Sequence, residues 1–137
     1  MPRVSVTRRV HFSAAHRLYR PGWSEEKNRE VFGECANPNW HGHNYELDVT
    51  VEGELDGETG YVLDLKRLRD VVHASVVRDV DHRNLNLDVD WMSENPTTEN
   101  LVVAIWERIR PRLPEGVELK RLVLRETPRN YVEYEGG

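Results

Sequence analysis

The sequence predicts an α+β fold, in which two helices lie on one face of an antiparallel four-stranded sheet. Three observations carry that expectation. Two stretches with apolar residues at every second position come early in the chain, two stretches with helical apolar spacing lie between residues 64 and 113, and two further strand-like stretches close the chain. Strands and helices that are grouped rather than strictly alternating argue for an antiparallel sheet with its helices segregated to one side.

In order, Val4, Val6, Val10 and Phe12 share one parity, with Arg8 the only interruption, which is the period of a half-buried strand. Ser24 followed by Glu25 and Glu26, then residues to Phe32 and Gly33, reads as a short helix with a serine N-cap, acids in the first turn and a glycine stop. Tyr45, Leu47, Val49 and Val51 alternate with Glu46, Asp48, Thr50 and Glu52, the pattern of a strand with one wet face. The turn-rich Asp56–Gly60 segment is expected to bring a short partner strand, Tyr61–Leu63, back against it. A helix capped by Asp64 should bury Leu65, Leu68, Val72 and Val76, and a second from about Thr98 should bury Leu101, Ile105, Ile109 and Leu113. Pro111 and Pro114 end it. Val117–Glu126 and Tyr131–Tyr134 read as closing strands joined by Thr127-Pro128-Arg129-Asn130.

A chain of 137 residues suits one domain, 1–137, and no repeat or linker divides it. No apolar run approaches the roughly 20 residues that span a bilayer, so no membrane partner is expected. The opening MPRVSVTRRVHF lacks an apolar core and cleavage site, and a cytoplasmic location is the expectation. A formal charge of −5 argues against nucleic acid, whose binders carry a basic face. The single cysteine, Cys35, has no partner for an internal disulfide.

His41-Gly42-His43 opens the second long strand, and residues two apart point the same way, here with the parity of Tyr45 and Leu47. His16 follows the first strand on the parity of Val10 and Phe12, so pairing of the two strands can bring three imidazoles together. Three nitrogen ligands with a fourth position left for water or substrate are the mark of a catalytic zinc site. An H-x-H pair alone is as readily surface or core histidine. On spacing alone Cys35 can also serve as a fourth ligand.

The stretches FSAAHRLY (12–19), FGECANPNWHGHNYEL (32–47), DVDHRNLNLDV (79–89), NPTTENL (95–101) and RETPRN (125–130) together resemble, in order, the successive signatures of the 6-pyruvoyltetrahydropterin synthase family. That resemblance implies the tunnelling fold, in which the sheets of three subunits close into a barrel and two trimers stack into a homohexamer. It implies a lyase that converts 7,8-dihydroneopterin triphosphate to 6-pyruvoyltetrahydropterin with loss of triphosphate, in tetrahydrobiopterin biosynthesis. The cofactor it implies is Zn2+ on His16, His41 and His43, with Mg2+ left open. It further implies Cys35 as the proton-transferring residue, Asp81 and His82 as its partners, Glu126 as the anchor of the pterin ring, and Thr97, Thr98 and Glu99 as the border of the pterin pocket.

Each of these has a plainer reading: a polar turn for Asp81-His82, a solvated strand end for Glu126, and helix capping for Thr97 or Thr98. Arg17, Arg20, Lys27 and Arg29 read as a solvated basic face and are left out of the site. The closest alternative is 6-carboxytetrahydropterin synthase of queuosine biosynthesis, which takes the same substrate. The five residues between Cys35 and His41 favour the pyruvoyl-forming enzyme, because the carboxy-forming group usually has a shorter spacing. An alternative of another class, a non-catalytic zinc-binding module, predicts the loss of Cys35, Asp81, His82 or Glu126, and all four are present.

Overall fold

The computed structural model describes residues 2–137; Met1, the first residue of the expected domain, lies outside them. Its elements are β1 (Arg3–His16), α1 (Glu25–Phe32), β2 (His41–Glu54), α2 (Leu65–Val72), β3 (Arg83–Asn84), α3 (Thr98–Ile109), β4 (Glu118–Arg125) and β5 (Tyr131–Tyr134). The α+β reading holds, with one strand more than expected: the sheet runs β3-β1-β2-β4-β5, and β3 joins β1 in parallel. All other pairings are antiparallel.

The alternation in β1 and β2 is what makes the sheet two-faced. Val10, Phe12, Tyr45, Leu47, Val49, Val51, Leu122 and Leu124 lie on the inner face, buried against Leu68, Val72 and Val76 of the α2 segment and Leu101, Ile105 and Ile109 of α3. Each such side chain contributes roughly 1.5–3 kcal/mol relative to exposure. The opposite face is stitched by cross-strand polar pairs: Arg9 and Arg125 both hold Asp48, at 2.7 and 2.9 Å, and Thr7 meets Thr50 at 2.7 Å. Being partly exposed, such pairs add only about 0–1 kcal/mol each. Their value is in register, since a slip of one residue would exchange the two faces.

Three local expectations need correction. Tyr61–Leu63 is not a strand: the Asp56 N–H donates to the Tyr61 carbonyl at 2.9 Å, and Asp56 Oδ1 accepts from Glu58 and Thr59, which closes a compact turn instead of a ladder. Leu65 is exposed, because the helical stripe begins one turn later at Leu68. Leu113 lies beyond α3 and is only partly buried, since Pro111 converts the helix end into a 3-10 turn at Arg110–Arg112.

The long helix after Asp64 is also interrupted. A π-helical turn, His73–Val77, separates α2 from a final turn at Arg78–Val80. The extra residue per turn frees backbone carbonyls, and Arg108 Nε donates to the Ser75 carbonyl at 3.1 Å. The helix then stops at Asp81 and delivers His82 beside β1. Among the described residues no helix is long and apolar enough to cross a membrane.

Candidate active site and metal centre

The register of β1 on β2 builds the site. His16 lies opposite His41 and Ala14 opposite His43, so the inner-face parity of both strands places three imidazoles at one end of the sheet. The glycine between the two β2 histidines sits close to β1, where a side-chain carbon would lie 3.3 Å from the Ala14 carbonyl oxygen, a tight contact. Before β2, the Asn37 carbonyl and carboxamide hold the amides of Trp40 and Asn39, at 3.1 and 2.9 Å. Trp40 adopts φ 65°, a left-handed conformation that bulky residues seldom enter.

His16 Nε2 lies 3.0 Å from His41 Nε2, and His41 Nε2 lies 3.1 Å from His43 Nε2. Tetrahedral zinc with bonds of about 2.0–2.1 Å sets its nitrogen ligands roughly 3.3 Å apart, so the observed spacing fits such an ion. The Pro96 carbonyl, 2.9 Å from His16 Nδ1, accepts a hydrogen bond from the Nδ1–H, which leaves the Nε2 lone pair facing the other two rings. Buried His41 Nδ1 has no hydrogen-bond partner among the described residues. Three lone pairs directed at one point repel unless a cation or proton is there, and these residues could hold a metal ion. Cys35 is not a member of this cluster, so the open alternative of a thiolate ligand finds no support in the geometry.

Burial holds the pKa values of His16 and His41 below the ordinary imidazole range; neighbouring imidazoles act the same way, and Glu126 opposes them. The sign follows directly. The unfolded chain takes up protons near pH ~6.5, whereas the folded chain resists them until lower pH. Stability is therefore fully present above pH ~6.5 and falls as the pH drops toward the depressed folded values. Metal-free protein is expected to lose melting temperature between about pH 7 and 5, measured by circular dichroism. A flat profile would contradict the burial of these imidazoles.

Around the triad, Glu126 Oε1 comes to 3.6 Å from His43 Nε2, and its Oε2 accepts from Thr98 Oγ1 at 2.6 Å. Thr98 is buried, and Thr97 caps α3 by accepting the Asn100 N–H at 3.0 Å. With Glu99 and Leu18 they border a pocket of about 490 Å³ that extends to Arg129 and Tyr131. The structure thus brings Glu126, Thr97, Thr98 and Glu99 together beside the metal-competent cluster. Capping and lining coexist at Thr97.

Cys35 ends up half-buried in the 3-10 turn Gly33–Ala36. Burial pushes its thiol up, and Glu126 and Glu34 add to that, so the chain by itself keeps the sulfur protonated. Asp81 and His82 do not reach it within the chain: Asp81 Oδ1 accepts the Ser13 N–H at 2.9 Å, and His82 lies 3.8 Å from Asp81. The His82 side chain is 82% exposed and its φ is 58°. His82 lines a surface pocket with Ser13, Asn44 and Asp88 that also reaches His43.

Sequence reading missed two supports of the triad. Pro96 acts through its carbonyl, which no residue-type pattern reports. Tyr45, which alternation places in the core, also brings its hydroxyl to 3.5 Å from His16 Nδ1, and burial raises its phenol far above the usual range. The alternation of His41, His43 and Tyr45 on one face was the available signal.

A mostly antiparallel α+β sheet with an imidazole triad at its rim and a carboxylate pocket beside it is the class of protein that this fold and site define. The family model described as 6-pyruvoyl tetrahydropterin synthase matches residues 5–137, and the chain belongs to that family. It is 44% identical to the human protein named 6-pyruvoyl tetrahydrobiopterin synthase, over 97% of this chain and 92% of the relative. It is also 41% identical to a Pyrococcus furiosus protein named dihydroneopterin monophosphate aldolase, over 97% and 98% respectively. Among solved structures, Caenorhabditis elegans 6-pyruvoyl tetrahydropterin synthase superposes with a TM-score of 0.91 at 38% identity, covering 100% of this chain and 98% of that one.

Proposed function

We propose that this protein is a zinc-dependent 6-pyruvoyltetrahydropterin synthase, a lyase that acts on 7,8-dihydroneopterin triphosphate and releases triphosphate. The observation that carries the reading is Glu126, which lines a pocket of about 490 Å³ and brings its carboxylate to 3.6 Å from His43, one of the three converging imidazoles. A zinc ion held by His16, His41 and His43 would supply Lewis-acid polarisation of the substrate's side-chain hydroxyls and so acidify the neighbouring C–H bonds. Glu126 accepts paired N–H bonds from the 2-amino and N3 positions of the ring, with Thr98 holding the carboxylate in place. Cys35 takes and returns the substrate proton.

In this reading the chain folds as one tunnelling-fold domain, and three sheets close into a barrel within a homohexamer of two stacked trimers. Exposed Asp81 and His82 then serve the Cys35 of a neighbouring subunit. Such a pairing favours the thiolate that the isolated chain disfavours.

The relatedness to a protein named dihydroneopterin monophosphate aldolase motivates a second reading, cleavage of the same class of ring at its side chain. Mass spectrometry of the products from 7,8-dihydroneopterin triphosphate and, in parallel, from the monophosphate separates the readings. The pyruvoyl product with free triphosphate is expected, and Glu126→Gln should weaken substrate binding by about tenfold or more, since one acceptor becomes a donor. A carboxy product with acetaldehyde, side-chain cleavage of a monophosphate, or unchanged kinetics in Glu126→Gln would each overturn the corresponding part.

A further inference from the structure

Cys35 and the metal-competent cluster sit on different segments, and what fixes one against the other is a short strut of named hydrogen bonds. β1 leaves the sheet after His16. Where the next rung would fall, the Asn86 side chain takes over: Oδ1 accepts the Arg17 N–H at 2.9 Å, and Nδ2 donates to the Arg17 carbonyl at 2.8 Å. This continues the pairing in which the Leu85 N–H donates to the Ala15 carbonyl at 2.8 Å. Asn86 is itself preset, its own N–H donating to Asn84 Oδ1 at 2.9 Å.

With its peptide held on both sides, Arg17 sends its side chain the other way. Its Nε donates to the Ala36 carbonyl at 3.0 Å, and its guanidinium lies 4.0 Å over the Tyr19 ring. One residue on, the Leu18 N–H donates to the Cys35 carbonyl at 2.7 Å. Elsewhere in Gly33–Trp40 the Gly33 N–H donates back to the Arg29 carbonyl of α1, and the bonds from Asn37 to Glu34, Trp40 to Asn37 and Asn39 to Asn37 are local. Among the described residues, the hydrogen bonds that tie Cys35 and Ala36 to another segment therefore come from Leu18 and Arg17. Arg17 is thus not part of a solvated basic face; its Nε is committed to the backbone beside the thiol.

We propose that Arg17 and Asn86 are positioning residues that hold the Cys35 turn at a fixed distance from His16, an inference that rests on the acid–base reading of Cys35. A planar guanidinium braced on an aromatic ring suits this role because little freedom is lost per bond formed. Proton transfer is sensitive to displacements of about 1 Å, so loosening the strut should lower turnover without removing metal or substrate affinity.

The test uses Arg17→Met, Asn86→Leu and Asn86→Asp in the zinc-loaded protein. The last keeps the acceptor for the Arg17 N–H and loses only the donor. In the first two, kcat should fall by about tenfold or more with KM within about threefold, and zinc should stay at the parent level. Cys35 alkylation by iodoacetamide at fixed pH should become severalfold faster as the turn is freed, with Asn86→Asp intermediate in both readouts. If alkylation and kcat both stay within about twofold of the parent in folded variants, the strut positions nothing. Loss of zinc together with kcat would place its role at His16 and overturn the proposal. Should Arg17→Met or Asn86→Leu fail to fold, Asn86→Asp decides by the same criteria. Cys35→Ala, measured in parallel, separates the two claims: surviving turnover there refutes the acid–base reading, while alkylation of the strut variants still decides the positioning.

Discussion

Cys35→Ala is expected to lower turnover by about 10²-fold or more while zinc content, fold and substrate affinity stay close to the parent, the scale of a lost general acid–base group. The structure sharpens this expectation. The sulfur is not among the atoms that converge with the three imidazole nitrogens, so removing it should not release metal. Its carbonyl and that of Ala36, which hold the turn in place through Leu18 and Arg17, are unaffected by trimming the side chain. Single-turnover kinetics with elemental analysis of the same sample checks both halves. If zinc falls with the thiol, Cys35 is a ligand; if turnover survives, another group moves the proton.

The second large effect is expected at His43. His43→Ala removes one of three convergent nitrogens and leaves His16 and His41, so metal affinity should fall by more than the roughly 10–100-fold that loss of a supporting hydrogen-bond partner costs. Elemental analysis after dialysis against a chelator should find folded protein with little zinc, and turnover lost in proportion. The fold itself should persist, because His43 lies at the rim of the sheet and the fully buried residues beneath it, Tyr45, Leu47 and Phe12, are untouched. Full zinc occupancy in a folded variant would remove His43 from the ligand set.

Much of this molecule is written locally. The parity of Val10 and Phe12, and of Tyr45 to Val51, reports which face is buried because side chains alternate along any strand wherever it lies. Ser24, Asp64 and Thr97 announce helix starts because a cap bonds to backbone only two or three residues away. The candidate ligands His41 and His43 were legible for the same reason. The Tyr61–Leu63 segment misled because its alternatives, strand or Asp-anchored turn, differ in partners rather than in residue type.

The sequence by itself determined the two-faced strands, the capped helices and the shared direction of His41 and His43, and its family resemblance supplied the residues proposed for metal, acid–base and pterin-anchoring roles. Tertiary structure decided the rest. The addition of β3 beside β1, the 3.0 Å approach of His16 to His41, the contact of Thr98 with Glu126, and the Asn86–Arg17–Ala36 strut all join residues far apart in the chain. Local propensity fixes the orientation of a side chain relative to its own backbone. Distances between segments are set only when strand register and helix packing are chosen together, and a backbone carbonyl such as that of Pro96 becomes a functional group only there.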